Sequence, residues 1–100
     1  MDHEIVWSDP ALADLEAAWR IAAAVDVAVA ENLRVELLGT VATLRRFPFL
    51  GPAYERDDTG RVREIVCRRY RVFYRVDEPA TRVEILAVRH ASRREPRWPK

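Results

Sequence analysis

From Tyr70 to Val76 the side chains alternate, with Tyr70, Val72, Tyr74 and Val76 on one face of an extended chain and Arg71, Phe73 and Arg75 on the other. Runs rich in β-branched and aromatic residues flank this segment across 63–90, and Asp77-Glu78-Pro79 is the strong breaker within it. The pattern predicts three consecutive strands of an antiparallel meander. One face packs, and the other presents guanidinium groups.

The first half of the chain changes period. Leu12, Leu15, Trp19 and Ala22 recur at spacings of three and four, which predicts a helix over about 9–24, capped by Ser8 or Asp9 with Pro10 in its first turn. Asp26 caps a second helix reaching about residue 46, with Ala30, Leu33, Leu37, Val41 and Leu44 as its stripe and Arg45 and Arg46 at the negative end of its dipole. Gly39 inside this helix costs about 1 kcal/mol relative to alanine, so it either marks a close approach of another backbone or is simply tolerated. A short apolar strand, His3 to Trp7, precedes the pair. Phe47-Pro48-Phe49-Leu50-Gly51-Pro52 stops the second helix, and Asp57-Asp58-Thr59-Gly60 is turn chemistry.

The resulting β-α-α-β-β-β order predicts an α+β two-layer sandwich: a helical hairpin on one face of a four-stranded antiparallel sheet in the order 2-3-4-1. Leu15, Trp19, Leu33, Leu37, Val72 and Ile85 are the expected core. Residues 1–100 form one domain, with 91–100 an extended basic tail whose Trp98 is a candidate interface anchor.

Composition narrows the function classes. With 49% hydrophobic and 33% charged residues, the chain suits one modest core. Its one cysteine, Cys67, sits in a predicted strand, so no disulfide framework is available. No apolar run approaches the ~20 residues of a membrane span and no leader pattern precedes the first strand, so a cytoplasmic protein with no membrane partner is expected. The net charge of +1 conceals an asymmetry: residues 1–44 hold two arginines against eight acids, a net −6, and residues 45–100 hold fifteen basic residues against eight acids, a net +7. A basic half points to an anionic partner, nucleic acid or an acidic peptide, unless the two halves neutralise each other within the fold.

Candidate chemistry is sparse. Two histidines, His3 and His90, accompany no nucleophile elbow, and Cys67 reads as a small buried hydrophobe. The ligand set for a metal is missing, at Asp57-Asp58 as elsewhere, and no cofactor is expected. Arginine remains. Arg71, Arg75 and Arg89 could hold a phosphate with His90 as general acid or base, or form a binding surface, or be only the solvated side of a sandwich. Arg71 and Arg75 flank Phe73 on one face, an interleaving that suits phosphate or acidic-peptide binding. Tyr70 and Tyr74 read as core.

A set of residues spread over nearly the whole length resembles the RelE/ParE superfamily of bacterial type II toxins. It comprises Val6-Trp7-Ser8 with Ala11, Asp14 and Leu15, then Phe47-Pro48 with Leu50-Gly51, then Arg63-Glu64. Tyr70-Arg71-Val72-Phe73-Tyr74-Arg75-Val76 and Val83 through His90 complete it. The resemblance implies a tight hetero-oligomeric complex with a ParD-like antitoxin whose acidic, partly disordered segment folds onto the toxin. It also implies one of two targets. A RelE-like chain would be a ribosome-dependent endoribonuclease using Arg71 and His90, but that branch places lysines near the start of the meander and a tyrosine near the C-terminus. Here Lys100 is the only lysine and no tyrosine follows Tyr74, and arginine is a poor proton carrier. The hairpin, Phe47-Pro48 and Val88-Arg89-His90 resemble the ParE branch more closely. That branch implies a toxin that is not an enzyme and poisons DNA gyrase by binding it, with Arg63, Arg71, Phe73, Arg75, Arg89, His90, Arg93 and Arg94 as target- or antitoxin-binding residues.

Overall fold

Ser8 and Asp26 set the helical hairpin. In the computed structural model, which describes residues 2–92, β1 (Glu4–Trp7) leads into α1 (Asp9–Ala23), and α2 (Val27–Ala42) returns from it. Of the two possible first caps the structure uses Ser8, whose Oγ accepts from Ala11 N at 3.1 Å, leaving Asp9 in the first turn. Asp26 Oδ1 accepts from Ala28 N at 2.8 Å. The second helix stops short of residue 46, tightening into a 3-10 turn over Thr43–Arg45. Pro48 disfavours helical backbone at Phe47, and Thr43 Oγ1 donates to Thr40 O at 2.6 Å.

Strands β2 (Val62–Cys67), β3 (Tyr70–Asp77) and β4 (Arg82–His90) form the expected meander, and the sheet order is β1-β4-β3-β2. The expected strand order holds, but the sheet is mixed rather than antiparallel, because β1 runs parallel to β4 with Glu4 beside Arg82 and Trp7 beside Ile85. The connection after α2 accounts for the reversal. It makes its own return pass, bridging antiparallel to β2 at Ala53 and Arg63, with Tyr54 N donating to Val62 O and Glu64 N to Pro52 O. That extra pass inverts the parity of every later strand.

Between helices and sheet lie Ala11, Leu37, Val41, Leu44, Val72, Tyr74, Val83, Ile85 and Val88, with Leu15 and Leu33 packed at the margin. Trp19, expected in the core, is only half-buried, and its indole N–H donates to Glu31 at 3.1 Å. The α1 stripe falls on Ala11 and Ala18 instead, leaving Leu12 48% exposed. Small residues there let α1 lie close to β4. Gly39 has nothing within 4 Å of a Cβ placed on it. It marks no close approach.

β4 continues beyond the end of β1, and its open edge is capped by side chains. Ser8 Oγ donates to Leu86 O at 3.3 Å, and the Asp14 carboxylate accepts from Val88 N at 2.9 Å. A bulge falls in the same stretch. Phe73 pairs with Ala87 but Tyr74 with Ile85, which leaves Leu86 as the extra residue.

Candidate functional site

β3 alternates as its sequence predicts, but the arginine face is partly covered. Tyr54, delivered by the return pass, packs edge-on against Phe73 at 4.9 Å, and with Val62 and Ala87 it forms a second small core on the outer face of the sheet. Phe73 is fully buried, a correction to its expected place on a binding surface. Arg71 is drawn into the same layer. Its Nε donates to Glu64, its guanidinium lies 4.9 Å from the Phe73 centroid and 5.7 Å from that of Tyr54, and its side chain is 16% exposed. Arg71 ties the outer face together.

The other expected arginines are also held. Arg75 donates to Glu84 at 3.1 Å, Arg89 lies 3.7 Å from Asp14, and Arg63 donates to Gly51 O at 2.7 Å while stacking on Phe49. Arg63 is bound to a neutral carbonyl there, so that contact leaves its charge uncancelled. With Arg61, Arg75, Phe49, Asp77, Glu78 and Glu84 it lines an open cleft of about 690 Å³ on the outer face. Arginine and carboxylate are balanced in this cleft. Arg93, Arg94, Trp98 and most of the expected tail lie outside the described residues.

His90 belongs to the opposite side of the sheet. It pairs in register with Tyr70, meets that ring edge-on at 5.3 Å, and its Nδ1 lies 2.7 Å from Ser92 Oγ. Arg71, one residue along, faces the outer layer. The structure therefore does not bring Arg71 and His90 together around one phosphate, and no group of three metal-ligating side chains occurs among the described residues.

His90 instead helps line a groove that sequence reasoning missed. A cleft of about 480 Å³ is bounded by Val29, Leu33, Arg68, Arg69, Tyr70 and His90. A smaller one continues along α1 past Asp14, Ala17, Ala18 and Ile21 and shares Tyr70 and His90. Beyond its lip the hairpin tip exposes Ile21, Val25, Val27 and Val29, with Val25 at 88%. The groove has an apolar floor and basic walls, although Arg68 is also paired with Glu36. The signal lay in residues 21–30, IAAAVDVAVA, where apolar residues surround the helix ends instead of forming one stripe.

At the far end of α2 the chain is pinned in place. Gly51 N–H donates to the buried Tyr74 hydroxyl at 2.8 Å, and a Cβ at Gly51 would lie 2.5 Å from Glu64 O. Burial raises the Tyr74 pKa, against the Gly51 N–H and the nearby Arg63, which lower it. In the following turn, burial pushes the Asp57 carboxyl up, but bonds from the Thr59 hydroxyl and the N–H groups of Val62, Thr59 and Arg61 together hold it below the usual carboxylate value.

Two helices on a mixed four-stranded sheet, with this strand order, place the chain in the RelE/ParE-like class of toxin folds. Solved structures with this fold include a chain of the toxin-antitoxin complex RelBE2 from Mycobacterium tuberculosis, at 21% identity over 90% of this chain and 99% of that one, with a TM-score of 0.70. A chain of the chromosomal ParDE system of P. aeruginosa matches at 18% identity over 90% and 97%, with a TM-score of 0.75. A mutant of the E. coli toxin RelE in the free state matches at 19% identity over 92% and 86%, with a TM-score of 0.65. No curated protein matches the sequence significantly. The family model for the ParE toxin of the type II toxin-antitoxin system, parDE, matches residues 5–95, and the chain belongs to that family.

Proposed function

We propose that this chain arrests growth by binding and poisoning DNA gyrase in the cytoplasm, and that a cognate ParD-like antitoxin neutralises it in a hetero-oligomeric complex. The observation that carries the choice of target is the separation of Arg71 and His90 onto opposite faces of the sheet. A general acid or base must reach the proton it moves, and a phosphate clamp must sit beside it. Arg71, locked to Glu64 and two rings, is poorly placed for either role. Arg63, Arg75, Arg89 and His90, with Arg93 and Arg94, act as target- or antitoxin-binding groups in this proposal, His90 on the antitoxin side.

The antitoxin fits the groove beside the hairpin. A disordered acidic segment with apolar residues at helical spacing would bury Val29, Leu33 and Tyr70 while its carboxylates meet Arg69 and Arg89. The apolar floor supplies most of the affinity, and the charges steer association. None of the described helices is long and apolar enough to cross a membrane.

Supercoiling by purified gyrase, run beside mRNA cleavage on translating ribosomes, tests the target. Inhibited supercoiling with intact mRNA is the expected result. Codon-specific cuts with unaffected gyrase would establish the ribosome-dependent nuclease instead.

A further inference from the structure

The pinned turn after α2 holds its apolar side chains outward. Phe47 is 55% exposed, Phe49 53% and Leu50 56%. Each ring carries a guanidinium over it, Arg46 at 5.5 Å from the Phe47 centroid and Arg63 at 4.8 Å from that of Phe49. Their backbone has little freedom, because Leu50 N donates to Phe47 O, Gly51 is clamped between Tyr74 and Arg63, and Glu64 N donates to Pro52 O. About half of each of these side chains stays open to solvent.

We infer that Phe47, Phe49 and Leu50 form a preformed protein-docking knuckle, and that its occupant is the folded target, presenting an apolar cleft rimmed by carboxylates. This rests on the gyrase proposal for the identity of the target. Three observations select a folded partner. Two aromatics with arginines are the residue types that anchor interfaces. The rigid backbone lowers the ordering cost of docking, which benefits a partner that is itself ordered. Arg45 and Arg46 are exposed beside Phe47, so the part of the partner that meets this side is acidic, while arginines and carboxylates balance in the cleft beside Phe49.

Position separates this surface from the groove. Val29 and Leu33 lie in the first half of α2 and Phe47 lies past its end, and the 16 residues of that helix span about 24 Å. An antitoxin segment in the groove therefore leaves the knuckle uncovered unless it also wraps the far end of the molecule. Single-stranded RNA fits less well, because the guanidiniums already occupy one face of each ring on which a base would stack.

The test uses full-length chain released from its antitoxin complex, as wild type, as Phe47→Ala/Phe49→Ala, and as Arg46→Glu. Affinity for purified gyrase and for purified antitoxin is measured separately, with the melting temperature recorded for each variant. For the double variant, gyrase affinity is expected to fall at least about thirtyfold, as loss of two interface anchors implies. Antitoxin affinity and melting temperature are expected to stay unchanged. Gyrase affinity equal to wild type overturns the knuckle while leaving the gyrase proposal standing, whereas a wild type that does not bind gyrase removes both. If the double variant loses both partners or its fold, Arg46→Glu decides: selective loss of gyrase binding supports the knuckle, and any other pattern overturns it. Protection of the same loop by single-stranded RNA at unchanged gyrase affinity would also overturn it.

Discussion

Replacing Tyr74 by phenylalanine removes one oxygen from the most constrained junction of the molecule. Tyr74 and Gly51 are both buried, and the hydroxyl accepts the Gly51 N–H at 2.8 Å. Without it a buried backbone donor on the helix side of the sheet loses its acceptor. An unsatisfied buried donor costs about 1–3 kcal/mol. For a domain of this size each kcal/mol lowers the melting temperature by about 4–8 °C, so a loss near 10 °C is expected. Hydrogen exchange at the Gly51 amide should rise at the same time, since its acceptor is gone. Thermal unfolding followed by circular dichroism, with exchange measured on the same samples, checks both. A shift under about 2 °C with the amide still protected would refute the reasoning. The phenol also gives a pH dependence. Burial raises its folded pKa, so its contribution is fully present below the unfolded value of about 10 and is lost as pH rises through the higher folded value.

Asp57→Ala strands the buried Val62 N–H, bonded to the carboxylate at 3.0 Å, leaves the Arg61 N–H only the Thr59 hydroxyl at 3.2 Å, and should cost about 1–3 kcal/mol in denaturant unfolding. Its folded pKa is depressed, so the wild-type contribution is present above the unfolded carboxylate pKa and is lost as pH falls through the folded value, a loss the variant should lack. Gly39→Ala meets nothing within 4 Å and should stabilise by roughly 0.5–1 kcal/mol, the opposite of what a close helix contact would give. His90→Ala should weaken antitoxin binding about tenfold while leaving growth arrest intact, measured by titration and by plating. Loss of toxicity with an intact fold would count against a non-catalytic role.

Those parts of the fold that follow from local pattern were legible in the sequence. Ser8 and Asp26 signal their helices through capping chemistry, and Tyr70 to Val76 shows its two faces through alternation. What the pattern could not carry was the path of residues 46–61. That pass inverts the sheet's parity and brings Tyr54 over Phe73, turning an apparently solvent-facing aromatic into core. Trp19 failed as a core residue for a related reason. Spacing alone did not distinguish the stripe of Ala11 and Ala18, which allows close approach, from the bulkier stripe one residue along. Among the site residues, Arg63, Arg75 and Arg89 are half-buried, each with a partner. The pairing of Arg71 with Glu64 joins neighbouring strands and depends on a register that periodicity does not encode. The groove left a trace in the excess of exposed valines, but its walls come from elements far apart in sequence.

Action by binding rather than by cutting RNA is tested by supercoiling with purified gyrase as the chain is titrated in. Purified antitoxin is added back at the end of the same titration. Dose-dependent inhibition, reversed by antitoxin and preserved in His90→Ala, is the predicted result. Unimpaired supercoiling at concentrations that produce cleaved mRNA on translating ribosomes would contradict it.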